Sequence, residues 1–227
     1  YLKEKASGGL AAEIPDHASN HDWLAADQLE YQNAFIMRSR IFHCDWQVSD
    51  YWTKVTNGTG SISIDILNTL LRTGATSGGN AKIYTSALGW KLEKSVLRFM
   101  VAPWINPTNQ VVWLIFRRGG NSVGDAVEHC GFKIVNGDIY ASTGDQNGNH
   151  TQEDTGVNTV QWDELSLAMR VPESADKVEY YINDVLKKTF TSNLPRFTYG
   201  ALVLYIANTA NVSQTLRSFS LGYYKNP

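Results

Sequence analysis

Acidic side chains are the first residues of this sequence whose spacing could support catalysis. Two carboxyl groups about 5 to 5.5 Å apart can flank and cleave a glycosidic bond, and on a β-strand they must be two positions apart to share one face. Asp163 and Glu164 are adjacent and would face opposite ways, and we place Glu153 and Asp154 in a polar loop. Neither a Gly-x-Ser-x-Gly nor a His-Glu-x-x-His string is present. We therefore expect no enzyme activity.

Aromatic residues are the better candidates for ligand binding. The chain has 7 Trp and 11 Tyr residues, and such rings stack on the apolar faces of sugars while neighbouring polar groups form hydrogen bonds. The predicted binding residues are Trp90, Trp104, Arg117, Arg118 and Tyr140. The alternative is that each Trp packs in the core or between subunits.

An oxygen-rich segment is the candidate metal site of this sequence. Asp145, Asn147 and Asn149 alternate as in a calcium loop, but the later Gly and Glu positions of an EF-hand are occupied by His150 and Gly156. The segment is either a calcium loop of another type or a solvated hairpin loop, and we favour the latter. No other cofactor is expected.

The histidines and cysteines give weaker signals. His17 and His21 would share one face of a helix and could bind a metal together, but Pro15 argues against that helix, so an exposed polar segment is favoured. Cys44 and Cys130 are far apart in sequence, and a core of this size needs no disulfide, so we predict two unbridged thiols.

Charge and hydropathy exclude two classes of partner. The net charge is −2 and the chain contains no run of Lys or Arg, so we expect no nucleic-acid binding. No window approaches the roughly 18 apolar residues that a membrane-spanning helix needs, so we expect no membrane insertion.

Short alternating segments separated by Gly, Asn and Pro predict an all-β protein. In residues 178–195 Val178, Tyr180 and Ile182 alternate with other residues, Asn183-Asp184 supplies a turn, and an extended run resumes at Val185. Further strands are predicted at about 52–56, 61–67, 92–102, 110–118, 129–135, 139–142, 165–171, 201–207 and 214–224. With no long amphipathic helix, this pattern predicts a two-sheet antiparallel sandwich.

The hairpin at residues 178–195 resembles one near the end of concanavalin A-like lectin and glucanase jelly-roll domains, as does the general pattern over roughly 170 residues. This resemblance implies a jelly roll that presents curved sheets and loops to sugars or proteins. It also implies that residues 46–56 and 214–224 pair. Members with lyase activity carry R-x-E-x-R and Q-I-H strings, which this chain lacks.

Residues 1–40 are predicted to form an irregular N-terminal arm, and residues 41–227 the jelly-roll domain. The segment from Pro15 to His21 resembles part of the tail-fibre and appendage proteins of bacteriophages and archaeal viruses. We expect the arm to contact another subunit or virion protein through six apolar residues: Leu24, Leu29, Tyr31, Phe35, Ile36 and Met37.

The resulting hypothesis is a surface module of a virion, such as a tail fibre, spike or capsid decoration. We expect it to be homo-oligomeric, with a trimer favoured, to be exposed outside cells, and to be able to contact a cell-surface glycan. The alternatives are a secreted microbial carbohydrate-binding module or adhesin, and a glycan-cleaving jelly-roll enzyme.

Overall fold

The structure is a computed structural model that describes residues 40–44, 52–64, 69–85, 90–103, 108–119, 122–159 and 164–225. These residues form β-strands joined by turns and loops, and none of them lies in a helix. In chain order the strands are β1 Arg40–Cys44, β2 Trp52–Asn57, β3 Ser61–Ile64, β4 Thr69–Arg72, β5 Asn80–Thr85, β6 Trp90–Lys91, β7 Ser95–Pro103, β8 Gln110–Arg117, β9 His129–Val135, β10 Asp138–Gly144, β11 His150–Asn158, β12 Leu165–Val171, β13 Val178–Ile182, β14 Val185–Phe190, β15 Tyr199–Asn208 and β16 Thr215–Lys225.

The strands form two sheets. Sheet A has the order β14-β13-β12-β7-β16-β4-β3, with β1 also paired to β16. Sheet B has the order β11-β10-β9-β8-β15-β5-β2, with β6 paired to β15. The central pairings of both sheets are antiparallel. The predicted all-β, two-sheet antiparallel sandwich is confirmed. In the described ranges no helix is long and apolar enough to cross a membrane.

The hairpin of β13 and β14 has the structure that its sequence predicts. Asn183 and Asp184 both have positive φ, 49° and 63°, which suits a two-residue turn whose twist matches that of the flanking strands. Val178, Tyr180 and Ile182 are buried in the core. The strict alternation in β13 therefore identified both the strand and its inward face.

The core lies between the sheets and is rich in aromatic rings. Phe132 of β9 meets Tyr180 of β13 edge-to-face, with ring centroids 5.4 Å apart. Tyr180 is fully buried, and its hydroxyl donates a hydrogen bond of 2.8 Å to the carbonyl of Ser142. This bond joins sheet A to sheet B and satisfies a polar group that would otherwise be costly to bury.

The N-terminal pairing expected from the resemblance is wrong in its residues. Strand β2, residues 52–57, pairs with β5 in sheet B, whereas β16 pairs with β1, β4 and β7 in sheet A. The pairing of β2 with β5 places it on the sheet opposite β16, and from there Trp52 packs into the core between the sheets. The described N-terminal neighbour of β16 is β1, which begins at Arg40. Residues 1–39, and with them the predicted arm, lie outside the described residues.

Glu153 and Asp154, which the sequence places in a loop, belong instead to the edge strand β11. This strand is largely exposed and shows no regular alternation, because only one of its edges pairs, with β10. Cys130 of β9 is a free, fully buried thiol, and burial raises its pKa. The side chain of Cys44 lies outside the description, so the unbridged state of the pair stays a prediction.

Candidate functional site

Five residues on adjacent strands form a row across the outer face of sheet B, the face turned away from the core. Tyr140 lies opposite Lys133, Lys133 opposite Trp113, Trp113 opposite Tyr205, and Tyr205 opposite Lys82. We call this set the aromatic row. With strands about 4.8 Å apart, it crosses about 19 Å of sheet.

The neighbours of these residues along each strand show that the row faces outward. Phe132, Leu114, Leu204 and Ile83 precede or follow row residues and lie in the main core. Because side chains alternate between the two faces of a strand, the row must lie on the other face. A second hydrophobic cluster of Trp113, Ile115 and Val203 forms there, with partly buried residues packed on it.

The row combines three aromatic rings with two lysine side chains. Trp113 is only 4% exposed and forms its floor, while Tyr140 and Tyr205 are partly exposed. Burial raises the pKa of Tyr205, so its hydroxyl stays protonated at neutral pH. The Nζ of Lys133 lies 4.8 Å from the centroid of the Trp113 ring, and that of Lys82 lies 5.8 Å from the Tyr84 ring. The row therefore offers flat apolar surface beside hydrogen-bond donors.

His129 and Ser142 lie beside the row on the same face. The Nε2 of His129 is 2.8 Å from the Ser142 hydroxyl, and its Nδ1 is 2.5 Å from the Val127 carbonyl. A neutral ring that donates from Nδ1 and accepts at Nε2 satisfies both contacts. Burial is the main cause that lowers the pKa of His129, to about 4. The pair is fully buried, with Trp113 edge-on to the imidazole at 5.5 Å, and it fastens the strands to the loop.

Residues 122–128 form a loop over this face, which we call loop 122–128. Arg117 donates to the carbonyls of Ser122 and Arg118, and Val127 accepts from His129. A Cβ at Gly144 would lie only 2.4 Å from the Val127 carbonyl oxygen, so glycine at position 144 allows the loop to approach the sheet. Asp125 in the loop lies 3.0 Å from Lys133 through each of its carboxylate oxygens.

Three adjacent strands of the face, β8, β9 and β10, carry no two carboxylates at alternate positions of one strand. Their outward residues are Val111, Trp113, Ile115 and Arg117 on β8, His129, Gly131, Lys133 and Val135 on β9, and Asp138, Tyr140, Ser142 and Gly144 on β10. Two alternate acidic residues are what a retaining glycosidase with a catalytic strand would need there. These strands therefore offer apolar contact, positive charge and the single carboxylate of Asp138, and they lack a paired-carboxylate arrangement.

The structure places the predicted ligand-binding residues in different surroundings. Tyr140 is part of the aromatic row, and Arg117 lies on the same face, but its guanidinium is used to hold loop 122–128. Arg118 pairs with Glu128 at 3.5 Å. Trp90 in β6 meets Tyr223 edge-to-face at 4.7 Å and packs on the core. Trp104 lies outside the described residues. The four described candidates therefore do not form one site.

Four residues of the row were not predicted: Trp113, Tyr205, Lys133 and Lys82. The signal was available in part, since Trp113 and Tyr205 stand at alternate, non-core positions of segments already recognised as strands. Their convergence depends on strand register, however, because β8 and β15 are far apart in sequence.

The predicted calcium residues form a hairpin turn between β10 and β11. One carboxylate oxygen of Asp145 accepts from the backbone N–H groups of Asn147 and Asn149 at 2.8 and 2.9 Å, and the other accepts from the Asn149 amide at 3.0 Å. These bonds, led by that from the Asn149 side chain, lower the pKa of Asp145. Within the described ranges no three His, Cys, Asp or Glu residues group as metal ligands.

A separate cavity of about 730 Å³ opens among loops away from the row. Asp145 and Asn147 line it, together with Glu93, Asp176 and Arg196. It contains no ring of the aromatic row, and its tyrosine- and tryptophan-free lining offers less stacking surface than the outer face of sheet B. We therefore regard the row as the better ligand site.

Comparison with known proteins identifies the fold. No family model matches the chain, and no curated protein matches its sequence. Among solved structures, a Bacillus licheniformis β-glucanase is 15% identical with a TM-score of 0.62, over 81% of this chain and 97% of that one. A prokaryotic β-1,3-1,4-glucanase (lichenase) derived from a mouse hindgut metagenome is 14% identical with a TM-score of 0.62, over 81% and 98%.

A carbohydrate recognition domain is similar as well. That of Emp46p, in its metal-free form, is 6% identical with a TM-score of 0.55, over 80% of this chain and 94% of that one. At such identities the likeness extends to architecture alone. The described strands have the concanavalin A-like jelly-roll fold shared by glucanases and lectins.

Proposed function

We propose that this domain binds carbohydrate without cleaving it, and that the aromatic row on sheet B is the binding surface. The observation that carries the proposal is the alignment of Tyr140, Trp113 and Tyr205 with Lys133 and Lys82 on one rigid face. Pyranose rings stack on Tyr140 and Tyr205 above the Trp113 floor, and the two ammonium groups donate to sugar oxygens.

Asp138 is the one acidic residue at the outward positions of β8, β9 and β10, so these strands hold no pair of carboxylates, and this supports binding over hydrolysis. The glucanases of similar fold also support a carbohydrate ligand, as does the Emp46p recognition domain. A binding face needs only complementary surface, whereas hydrolysis at neutral pH needs an acid and a nucleophile in fixed positions.

Replacement of Tyr205 tests this surface. A glycan array probed with the wild-type protein is expected to retain a defined set of oligosaccharides, and Tyr205→Ala is expected to weaken their binding about tenfold or more, as truncation of a central aromatic contact does. Tyr181→Ala removes a ring from the outer side of sheet A and is the matched control. Retention of no glycan by the wild-type protein, or equal losses in both variants, would contradict the proposal.

We further propose that residues 1–40 attach the domain to other copies or to a virion surface, which would place it outside the cell. The support is in the sequence: the Pro15–His21 resemblance and the apolar residues between Leu24 and Met37. Similarity to glucanases supports the alternative of a secreted carbohydrate-binding module equally well.

Deletion of residues 1–37 distinguishes a virion-attached domain from a secreted carbohydrate-binding module. We expect the truncated domain to keep its β-sheet circular dichroism and its melting temperature but to lose oligomerisation, because every described strand begins at residue 40 or later. Light scattering coupled to size-exclusion chromatography measures the change. An unchanged oligomeric state, or a wild-type protein that is already monomeric, would favour the secreted module.

A further inference from the structure

The carboxylate of Asp125 contacts Lys133, the second residue of the aromatic row. Both of its oxygens lie 3.0 Å from the Nζ of Lys133, the geometry of a strong charge-assisted contact. The Lys133 side chain is 16% exposed and lies against the Trp113 ring, while the Asp125 side chain is 40% exposed. The ammonium group is thus held in place by the sheet, and the carboxylate reaches it from the solvent side.

Loop 122–128 does not depend on Asp125 for its position. Arg117 holds the Ser122 carbonyl on one side of Asp125, and His129 holds the Val127 carbonyl on the other. Within the loop, the Val127 N–H donates to the Gly124 carbonyl at 3.2 Å and closes a tight turn. The side chain of Asp125 can therefore rotate away from Lys133 while the backbone stays anchored.

The surrounding charges favour an anion at this position. Lys82 lies three strands from Lys133 in the row, and Arg117 is close enough to Lys82 to lower its pKa, after the larger effect of burial. Asp154 stands opposite Tyr140 at the edge of the sheet, where its carboxylate accepts from the Gly156 N–H at 2.8 Å. With Asp125 displaced, the ammonium group of Lys133 loses this ion pair, and an anionic group of a ligand would restore it.

We propose that the ligand is an acidic saccharide whose carboxylate or sulfate replaces the Asp125 side chain at Lys133. This inference rests on the proposed function and specifies its ligand class. Asp125 then acts as an internal substitute for the ligand's anionic group: it neutralises Lys133 in the free protein and competes with the incoming anion. Neutral glycans stack on the same rings but leave this ion pair in place.

The inference is tested first with a glycan array that contains neutral, uronate-containing, sialylated and sulfated members. Calorimetry then compares the best acidic glycan with its neutral counterpart. We expect the acidic glycan to bind about tenfold more tightly, since a hydrogen-bonded charge contributes that much or more. Lys133→Gln should remove this preference, and Asp125→Asn should strengthen acidic binding severalfold. Lys54→Gln is the charge-matched control, because Lys54 is exposed on β2 and alternates with Val55, the residue that pairs with Lys82 of the row.

The outcomes separate the two proposals. If the wild-type protein retains no glycan, the proposed function fails and this inference fails with it. If it retains neutral glycans as tightly as acidic ones, or if Lys133→Gln keeps the acidic preference, only the inference fails. Weaker acidic binding by Asp125→Asn would overturn the displacement of Asp125. Sulfated-only or uronate-only retention identifies the acidic group that Lys133 accepts.

A measurement on the wild-type protein tests the inference even if the Lys133 variant does not fold. Binding of the acidic glycan should weaken as NaCl rises from about 50 mM to about 500 mM, because salt screens the partly exposed charges, while binding of a neutral glycan should not change. Equal salt responses for the two glycans would overturn the inference without any substitution.

Discussion

Between pH 6.5 and about pH 4 the domain is expected to lose about 3 kcal/mol of its free energy of unfolding through His129 alone. The ring is fully buried, and burial is the chief reason that its pKa falls from 6.5 to about 4. The unfolded chain therefore binds a proton at a pH where the folded protein does not. Acidification draws the equilibrium toward the unfolded state, and the stability present near neutral pH is lost as pH falls through this window.

The groups around His129 act in both directions on its pKa. The hydrogen bond to the Val127 carbonyl and the charge of Asp125 raise it, whereas His150 and Arg117 lower it further. Asp145 and Glu179 have lowered pKa values, so the stability that they contribute is lost mainly at more acidic pH, below their ordinary values of 3.8 and 4.5. The loss between pH 6.5 and 4 therefore belongs chiefly to His129.

Urea unfolding at a series of pH values measures this loss. His129→Gln keeps a polar group able to bond to Ser142 but cannot take up a proton in this range, so its stability should change much less with pH than that of the wild-type protein. Parallel pH profiles for the two proteins would show that His129 is not responsible. A shallow wild-type profile would show that its pKa is close to 6.5 in the folded protein.

The β-sandwich could be predicted because its strongest signals are local. In β13 and its turn, Val178, Tyr180 and Ile182 alternate over a few residues, and Asn183-Asp184 suits positive φ, so the sequence specifies the hairpin by itself. Strand β11 was missed because its exposed edge position allows polar residues on both faces. The pairing of β16 with residues 52–56 was wrong because the chain crosses between the two sheets several times. A local sequence pattern predicts a strand but does not show which sheet the strand joins.

The site was harder to predict because it is created by register. Trp90 and Trp104 were chosen from their sequence surroundings, but Trp90 packs against Tyr223. Trp113 and Tyr205 become neighbours only when β8 and β15 pair. The ion pair between Lys133 and Asp125 was also hidden from the sequence. Asp125 lies in a loop whose path depends on hydrogen bonds from His129 and Arg117. Tyr140 was chosen as an aromatic residue and stands at an outward strand position, a criterion that would have found the others.

Gly131→Ala is expected to destabilise the domain by about 3 kcal/mol, near the upper end for overpacking a close-packed position. Gly131 is in the middle of β9, between Ile115 of β8 and Ser142 of β10. A Cβ there would lie 2.2 Å from the Leu114 carbonyl oxygen and 2.7 Å from the Ile115 Cα. Both are backbone atoms of β8, so relief requires the β8–β9 pairing to open at the centre of the sheet that carries the aromatic row.

Gly78→Ala is the matched control for this substitution. Gly78 has a φ of +77° and no atom within 4 Å of a built Cβ, so alanine there meets only the cost of left-handed backbone, about 1 to 2 kcal/mol. For a domain of this size, about 3 kcal/mol corresponds to a fall of about 6 to 12 °C in melting temperature. Thermal unfolding should therefore place Gly131→Ala clearly below Gly78→Ala. Equal melting temperatures would mean that β8 and β9 can separate enough to admit a methyl group, and that the row above them is less rigid than its register implies.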